Sequence, residues 1–300
     1  MSAMDSRPDT GHFFILGAPD PEMARIERVL AIGSRLGLVA GYGRALCQGD
    51  PVHPKTAYSA TDVAGGVPPG TPMVLVECGF DSEPPGVFAH RIDHHSPGDP
   101  GFDRGPVEFW HGSSIGQVVE YLYRMNDPES EVNKDLAEAL LPFAEDLFYA
   151  AAADHCLRDA YLGACPGIDP VRLEHWRAET RAFHQNVSPQ QILSSFSQAR
   201  AAVRAAQQDP VRCLRLAGKP MVRVEGSVSD LPDAACQMGV PVEYTHEHHK
   251  ETGRCKVGIL GADPDMIAAW MSERAPELGL EDVYGSPVRG YAGGYRALEA

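Results

Sequence analysis

Three hundred residues, 43% of them apolar, are enough for a large core and for two domains. With 26 basic against 41 acidic residues and a formal net charge of −15, the chain lacks the basic footprint that long duplex nucleic acid demands. A small anionic substrate stays compatible with that charge, because a bound metal reverses the local potential.

The seven Cys are scattered, odd in number and without a Cys-x-x-Cys pair, which argues against a disulfide framework and a structural zinc. The opening MSAMDSRPDTGH is too polar for the apolar centre of a signal peptide. No stretch approaches the roughly 18 apolar residues of a membrane span. The expectation is a cytoplasmic protein in a reducing compartment.

In chain order, HFFILGA (12–18) reads as a strand, and PDPEMARIERVLAIGSRLG (19–37) as a helix with apolar spacing at Met23, Ile26, Val29 and Leu30. Prolines at 19 and 21 suit a helix start. GLVAGYGR (37–44) reads as a second strand, followed by a Gly/Pro-rich loop that contains VHPKTAY (52–58). PMVLVEC (72–78) and GVFAHRID (86–93) are the next strands. SSIGQVVEYLYRM (113–125) is a serine-capped amphipathic helix. Residues 135–163 are helical despite Pro142, and 171–216 form a helical connector. KPMVRVEGSV (219–228), GVPVEYTHEHH (239–249) and RCKVGILGA (254–262) read as strands before the helix DPDMIAAWMSERA (263–275). The alternation implies an α/β fold: a mostly parallel sheet in an N-terminal domain over 1–170, the connector, and a smaller α/β domain over 217–300.

Asp20 and Glu22 directly follow the first strand, Glu77 ends MVLV, and Asp93, His94 and His95 end VFAHRI. Open α/β sheets bind ligands beyond the carboxyl ends of their strands, so three strands deliver acids and imidazoles to one edge. Carboxylates crowded there repel each other, and a divalent cation relieves the repulsion. Mixed oxygen and nitrogen ligands suit Mn, Fe, Zn or Ni better than Ca. The competing reading is solvated loop acids. A fourth contribution comes from AAAADHC (150–156), where Asp154 and His155 interrupt an Ala-rich helix. Acids are seldom buried without a partner, which a neighbouring backbone group, an arginine or a metal would supply.

Taken together, these residues resemble the DHH phosphoesterase superfamily of metal-dependent hydrolases. Its first motif, His-x-x-Pro-Asp-x-Asp, aligns with LGAPDPE (16–22); its second with Glu77; its third is the triplet 93–95; its fourth aligns with Asp154. RGYAGGYR (289–296) aligns with the glycine-rich motif of the associated C-terminal domain. The resemblance implies one or two divalent ions, usually Mn²⁺, ligated by Asp20, Glu22, Glu77, His94 and Asp154, with Glu77 bridging. His95 would face the phosphate and Asp93 would orient an imidazole. Arg289 and Arg296, with the backbone of Gly293 and Gly294, would hold a substrate phosphate or carboxylate in a cleft between the domains. The chain departs from the pattern where Leu16 replaces the first-motif histidine, and where Glu22 and Glu77 replace aspartates.

The function expected from the resemblance is a phosphohydrolase or phosphodiesterase, in which metal-activated water attacks a small, nucleotide-like phosphate ester or anhydride. The alternative is a non-catalytic binding or regulatory relative with a degraded metal site. A homodimer is compatible with either. His246, His248 and His249 form either a hairpin tip or a second metal pair, and Lys55 sits in a long loop that suits phosphate contact. Cys156 and Cys165 read as packing residues, and Trp110, Trp176 and Trp270 as core or interface.

Overall fold

A computed structural model describes residues 11–82, 84–246, 253–287 and 289–297. The chain divides into two units, one ending at His155 and one beginning at Cys156.

The first unit opens with β1 (His12–Leu16), α1 (Pro21–Arg35) and β2 (Val39–Cys47). Short strands β3 (Asp50–Pro51) and β4 (Asp62–Val63) follow, then β5 (Pro72–Val76) and β6 (Val87–Ile92). Helices α2 (Phe109–Gly112), α3 (Ser114–Arg124), α4 (Glu131–Leu140) and α5 (Ala144–His155) complete it. The sheet order is β3-β2-β1-β5-β6. Strands β2, β1, β5 and β6 are mutually parallel, while β3 and β4 join β2 antiparallel. The chain therefore leaves β1 for one side and later returns to its other side, which makes the gap between β1 and β5 the point where strand order reverses.

Alternation along β1 puts Phe13 and Ile15 into one apolar layer with Met73 and Leu75. Phe14 lies on the opposite face, edge-on to Tyr121 of α3. Leu16 is fully buried. The helical run over 135–163 is broken into separate pieces. A 3-10 turn at Leu141–Phe143 absorbs Pro142, and Cys156 separates α5 from α6 (Leu157–Tyr161).

In the second unit α6, α7 (Pro170–Gln185) and α8 (Pro189–Gln208) precede β7 (Cys213–Leu216), β8 (Lys219–Glu225), α9 (Leu231–Met238), β9 (Val242–His246) and β10 (Cys255–Leu260). Helix α10 (Pro264–Ala269) runs through a π turn at Trp270–Arg274 into α11 (Ala275–Glu277), and β11 (Glu281–Ser286) and β12 (Tyr291–Arg296) close the unit. The order is β11-β12-β10-β9-β8-β7, antiparallel except between β8 and β9. The segment expected as a connector, 171–216, is part of this unit: buried Ala199, Val203 and Ala206 of α8 pack with Val222 and Val224 of β8. Helix α9 and strands β7, β11 and β12 have no counterpart in the sequence reading, because elements of four to eight residues leave little periodic signal. Trp270 is fully buried in the core of this unit. Among the described residues, no helix is long and apolar enough to cross a membrane.

Candidate metal centre

The ends of β1 and β5 meet so closely that the backbone there tolerates no side chain on one partner. Gly17 N–H donates to Val76 O at 2.9 Å, and a Cβ on Gly17 would fall 2.2 Å from the Glu77 carbonyl oxygen. Glu77 itself has φ +50°, in the left-handed region that a non-glycine residue enters only when its surroundings hold it there. Its N–H is tied to Ile92 O of the neighbouring strand end at 3.0 Å.

After β1, Asp20 caps α1, accepting the Met23 N–H at 2.7 Å. Glu22, in the first turn of the helix, is only 2% exposed; its Oε1 accepts the Ile115 N–H of α3 at 2.9 Å. His94, 4% exposed, follows β6, and Asp154 comes from the last turn of α5. Glu22, Glu77, His94 and Asp154 thus arrive from four chain segments and offer ligand atoms that all lie within 4.8 Å of one another. His94 Nε2 is 3.3 Å from Glu77 Oε1 and 3.0 Å from Asp154 Oδ2.

The electrostatics of this cluster are unbalanced. Burial holds the Glu22 carboxyl well above the ordinary carboxylate range, and the negative charges of Asp154, Glu77 and Asp20 add to the effect. His94 goes the opposite way from a buried imidazole. Burial alone would lower its pKa, but Asp154 and Glu77 outweigh it and raise it to about 9. Glu22 Oε2, Glu77 Oε1 and His94 Nε2 are buried without an aligned hydrogen-bond partner. Three carboxylates and one imidazole converge, therefore, with ligand atoms no more than 4.8 Å apart. A divalent cation satisfies these groups, and the donor set of three oxygen-bearing groups and one nitrogen fits such an ion.

Asp93 and His95 form the outer layer. Asp93 is fully buried, and its Oδ1 accepts the N–H groups of His94 and His95 at 2.8 and 3.2 Å. It also receives His95 Nδ1 at 2.8 Å and the Tyr58 hydroxyl at 2.9 Å. Burial would raise the Asp93 pKa, but the His95 and Tyr58 hydrogen bonds reverse this and lower it. With Nδ1 so engaged, His95 turns its Nε2 away from Asp93, and its side chain is 29% exposed. His95 also groups with Glu77 and His94 as a candidate ligand.

Asp20 enters neither group of candidate ligands among the described residues; its carboxylate is engaged as a helix cap. In the second unit β12 lies between β10 and β11; Gly293 is paired on both sides, with Gly258 and Tyr284, and Gly294 is paired with Val257 of β10. Their missing side chains have a packing reason. A Cβ on Gly293 would meet the Tyr284 hydroxyl at 2.7 Å, and one on Gly294 would meet Leu280 Cβ at 3.1 Å. Arg289 and Arg296 flank this strand. His246 ends β9, whereas His248 and His249 lie outside the described residues.

Sequence reasoning assigns Tyr58 and His155 no role in the site. The loop VHPKTAY reaches the site through Tyr58, while Lys55 stays exposed in a turn. His155 Nδ1 lies 2.8 Å from His94 Nδ1. The only sequence signal for it was a second polar residue beside Asp154 in an alanine-rich helix. No family model matches this chain, and no curated protein matches it.

Proposed function

We propose that this chain is a divalent-metal-dependent phosphohydrolase of the DHH phosphoesterase type, acting with Mn²⁺ on a small, nucleotide-like phosphate ester or anhydride. The observation that carries the reading is the buried convergence of Glu22, Glu77, His94 and Asp154 at the strand-order switch point, where Asp154, Glu77 and Asp20 add to the burial that pushes the Glu22 carboxyl up. When bound, a divalent ion supplies Lewis acidity toward a phosphoryl oxygen and lowers the pKa of a water. The residues do the rest. Glu22, Glu77, His94 and Asp154 hold the ion, Asp93 fixes His95 through Nδ1, and Tyr58 fixes Asp93. His95 Nε2 is left to contact a phosphoryl oxygen and to hold a proton for the leaving group. Fully buried Leu16 and helix-capping Asp20 favour one strong cation site over two.

The same two residues support a second reading, a binding protein whose site has lost catalysis. Phosphate release separates the two. Chelator-stripped protein would be given pyrophosphate, nucleoside bisphosphates, linear and cyclic dinucleotides and simple monoesters, with and without Mn²⁺. The hydrolase reading expects Mn²⁺-dependent turnover of one class. Silence across the panel from folded protein that still binds Mn²⁺ would favour the binding reading. The role split has its own check: His94→Ala lowers Mn²⁺ occupancy, whereas His95→Ala keeps occupancy and loses turnover. Equal metal loss in both variants contradicts it.

A further inference from the structure

His155 is 5% exposed and sits beside a candidate ligand, yet it offers no atom to the cation cluster. Its two ring nitrogens are both spoken for. Nε2 lies 2.8 Å from the carbonyl oxygen of Arg104, and Nδ1 lies 2.8 Å from His94 Nδ1. The two ring planes are 18° apart. A carbonyl oxygen only accepts, so His155 Nε2 carries a hydrogen. Two N–H groups cannot point at each other across 2.8 Å, so a single proton lies between the two Nδ1 atoms. In the neutral pair His155 Nδ1 is bare, and that proton belongs to His94. The lone pair of neutral His94 then resides on Nε2, the nitrogen that faces Glu77 and Asp154.

From this we infer that His155 is a positioning residue: through the Arg104 carbonyl it holds His94 as the Nδ1–H tautomer, so that Nε2 is presented to the cation. The inference rests on the cation-site reading above. A ligating imidazole whose other nitrogen is anchored in this way loses typically 10–100-fold in metal affinity when the anchor is removed.

The cradle of His155 is built for the ring. A Cβ on Gly112 would fall 2.4 Å from His155 Nε2 and 2.6 Å from its Cε1, so this position admits glycine alone while the ring stays in place. Gln117 fixes the Gly112 backbone, donating from Nε2 to Gly112 O at 2.9 Å and to Asp93 O at 3.1 Å. One side chain therefore ties the wall of the His155 cradle to the triplet that carries His94.

The test uses the full chain, stripped with chelator. Mn²⁺ affinity is measured by calorimetry, and the His94 ring nitrogens are assigned by long-range ¹H–¹⁵N correlation with diamagnetic Zn²⁺ bound. The expected result is a protonated Nδ1 and a ligated Nε2 in the wild type. His155→Leu should lower Mn²⁺ affinity 10–100-fold, and His155→Asn, which keeps an acceptor at the Nδ1 position, should recover most of it. Gly112→Ala should reproduce the His155→Leu loss by displacing the ring, a second route if His155→Leu does not fold. Unchanged affinity in folded His155→Leu, or Nδ1 ligation of His94 in the wild type, overturns the inference. Should the wild type bind neither ion, the cation-site reading falls. The ring assignment of the cation-free protein then still decides the positioning role, because a His94 that carries its only hydrogen on Nε2 would refute it.

Discussion

Glu22 in the first unit and Glu243 in the second are the same residue type at the same depth, 2% and 1% exposed. Their surroundings differ in one respect. Glu243 receives Arg223 Nε and Arg274 Nε at 3.0 Å each, and Trp270 Nε1 at 3.3 Å. Burial would raise its pKa, but the two guanidinium groups, Arg274 foremost, bring it below the usual carboxylate value. Glu22 has one backbone N–H for a partner and three acidic neighbours, and is pushed up instead. Asp233 repeats the Glu243 solution, fully buried against Arg177 and Arg181. Burial of an acid is therefore no sign of function in itself. The sign is burial among other acids, which costs stability and which a bound cation would offset.

The comparison can be broken by mutation. The largest expected effect on stability is in the second unit. Arg274→Met leaves Glu243 short of a cation and should lower the unfolding free energy by about 3 kcal/mol, read by denaturant titration. The matching experiment in the first unit is Asp154→Asn. It should leave the fold intact and weaken Mn²⁺ binding by about 100-fold or more, since removing even an outer partner of a ligand costs 10–100-fold. Glu22→Gln keeps an acceptor for the Ile115 N–H and removes one repelling charge. It should raise the stability of the chelator-stripped protein by about 1 kcal/mol while lowering its Mn²⁺ affinity. Loss of stability in that variant would mean that Glu22 is compensated after all.

Acidity sharpens the contrast further. Glu243 has a lowered folded pKa, so its contribution is present above the unfolded value and is lost as pH falls through the folded one. His94 has a raised folded pKa; in the cation-free protein its contribution is complete below the unfolded value and disappears as pH rises through about 9. Hydrogen-exchange protection, taken relative to the intrinsic rate at each pH, should fall at amides of β9 and β10 on the acid side, and at β1 and β5 on the alkaline side. Saturating Mn²⁺ should remove the alkaline effect, because the ion replaces the His94 proton.

What the sequence by itself determined is the set of residues that meet beyond the strand ends. A hydrophobic run followed by a short polar step is legible one segment at a time, and three such steps carry Glu22, Glu77 and the triplet 93–95. Asp154 was legible as an acid out of place among alanines. That they converge was an expectation from the open-sheet rule, and the strand order β2-β1-β5-β6 is what brings it about. The tertiary structure alone decided the rest. Asp20 turns to its own helix end because a cap bond three residues away is local and easily made. Tyr58 comes from a loop 35 residues before Asp93, and His155 stands 61 residues beyond His94. No spacing rule links such pairs, since their contact is created by the packing of loop and helix onto the sheet. Gly17 and Gly112 look like ordinary glycines until the carbonyl or ring that occupies the place of their Cβ is known. Whether a buried acid is satisfied was likewise settled only by packing, because the arginines that compensate Glu243 come from a strand and a helix 20 and 31 residues away, while the side chains that act most on Glu22 are the acids Asp154, Glu77 and Asp20.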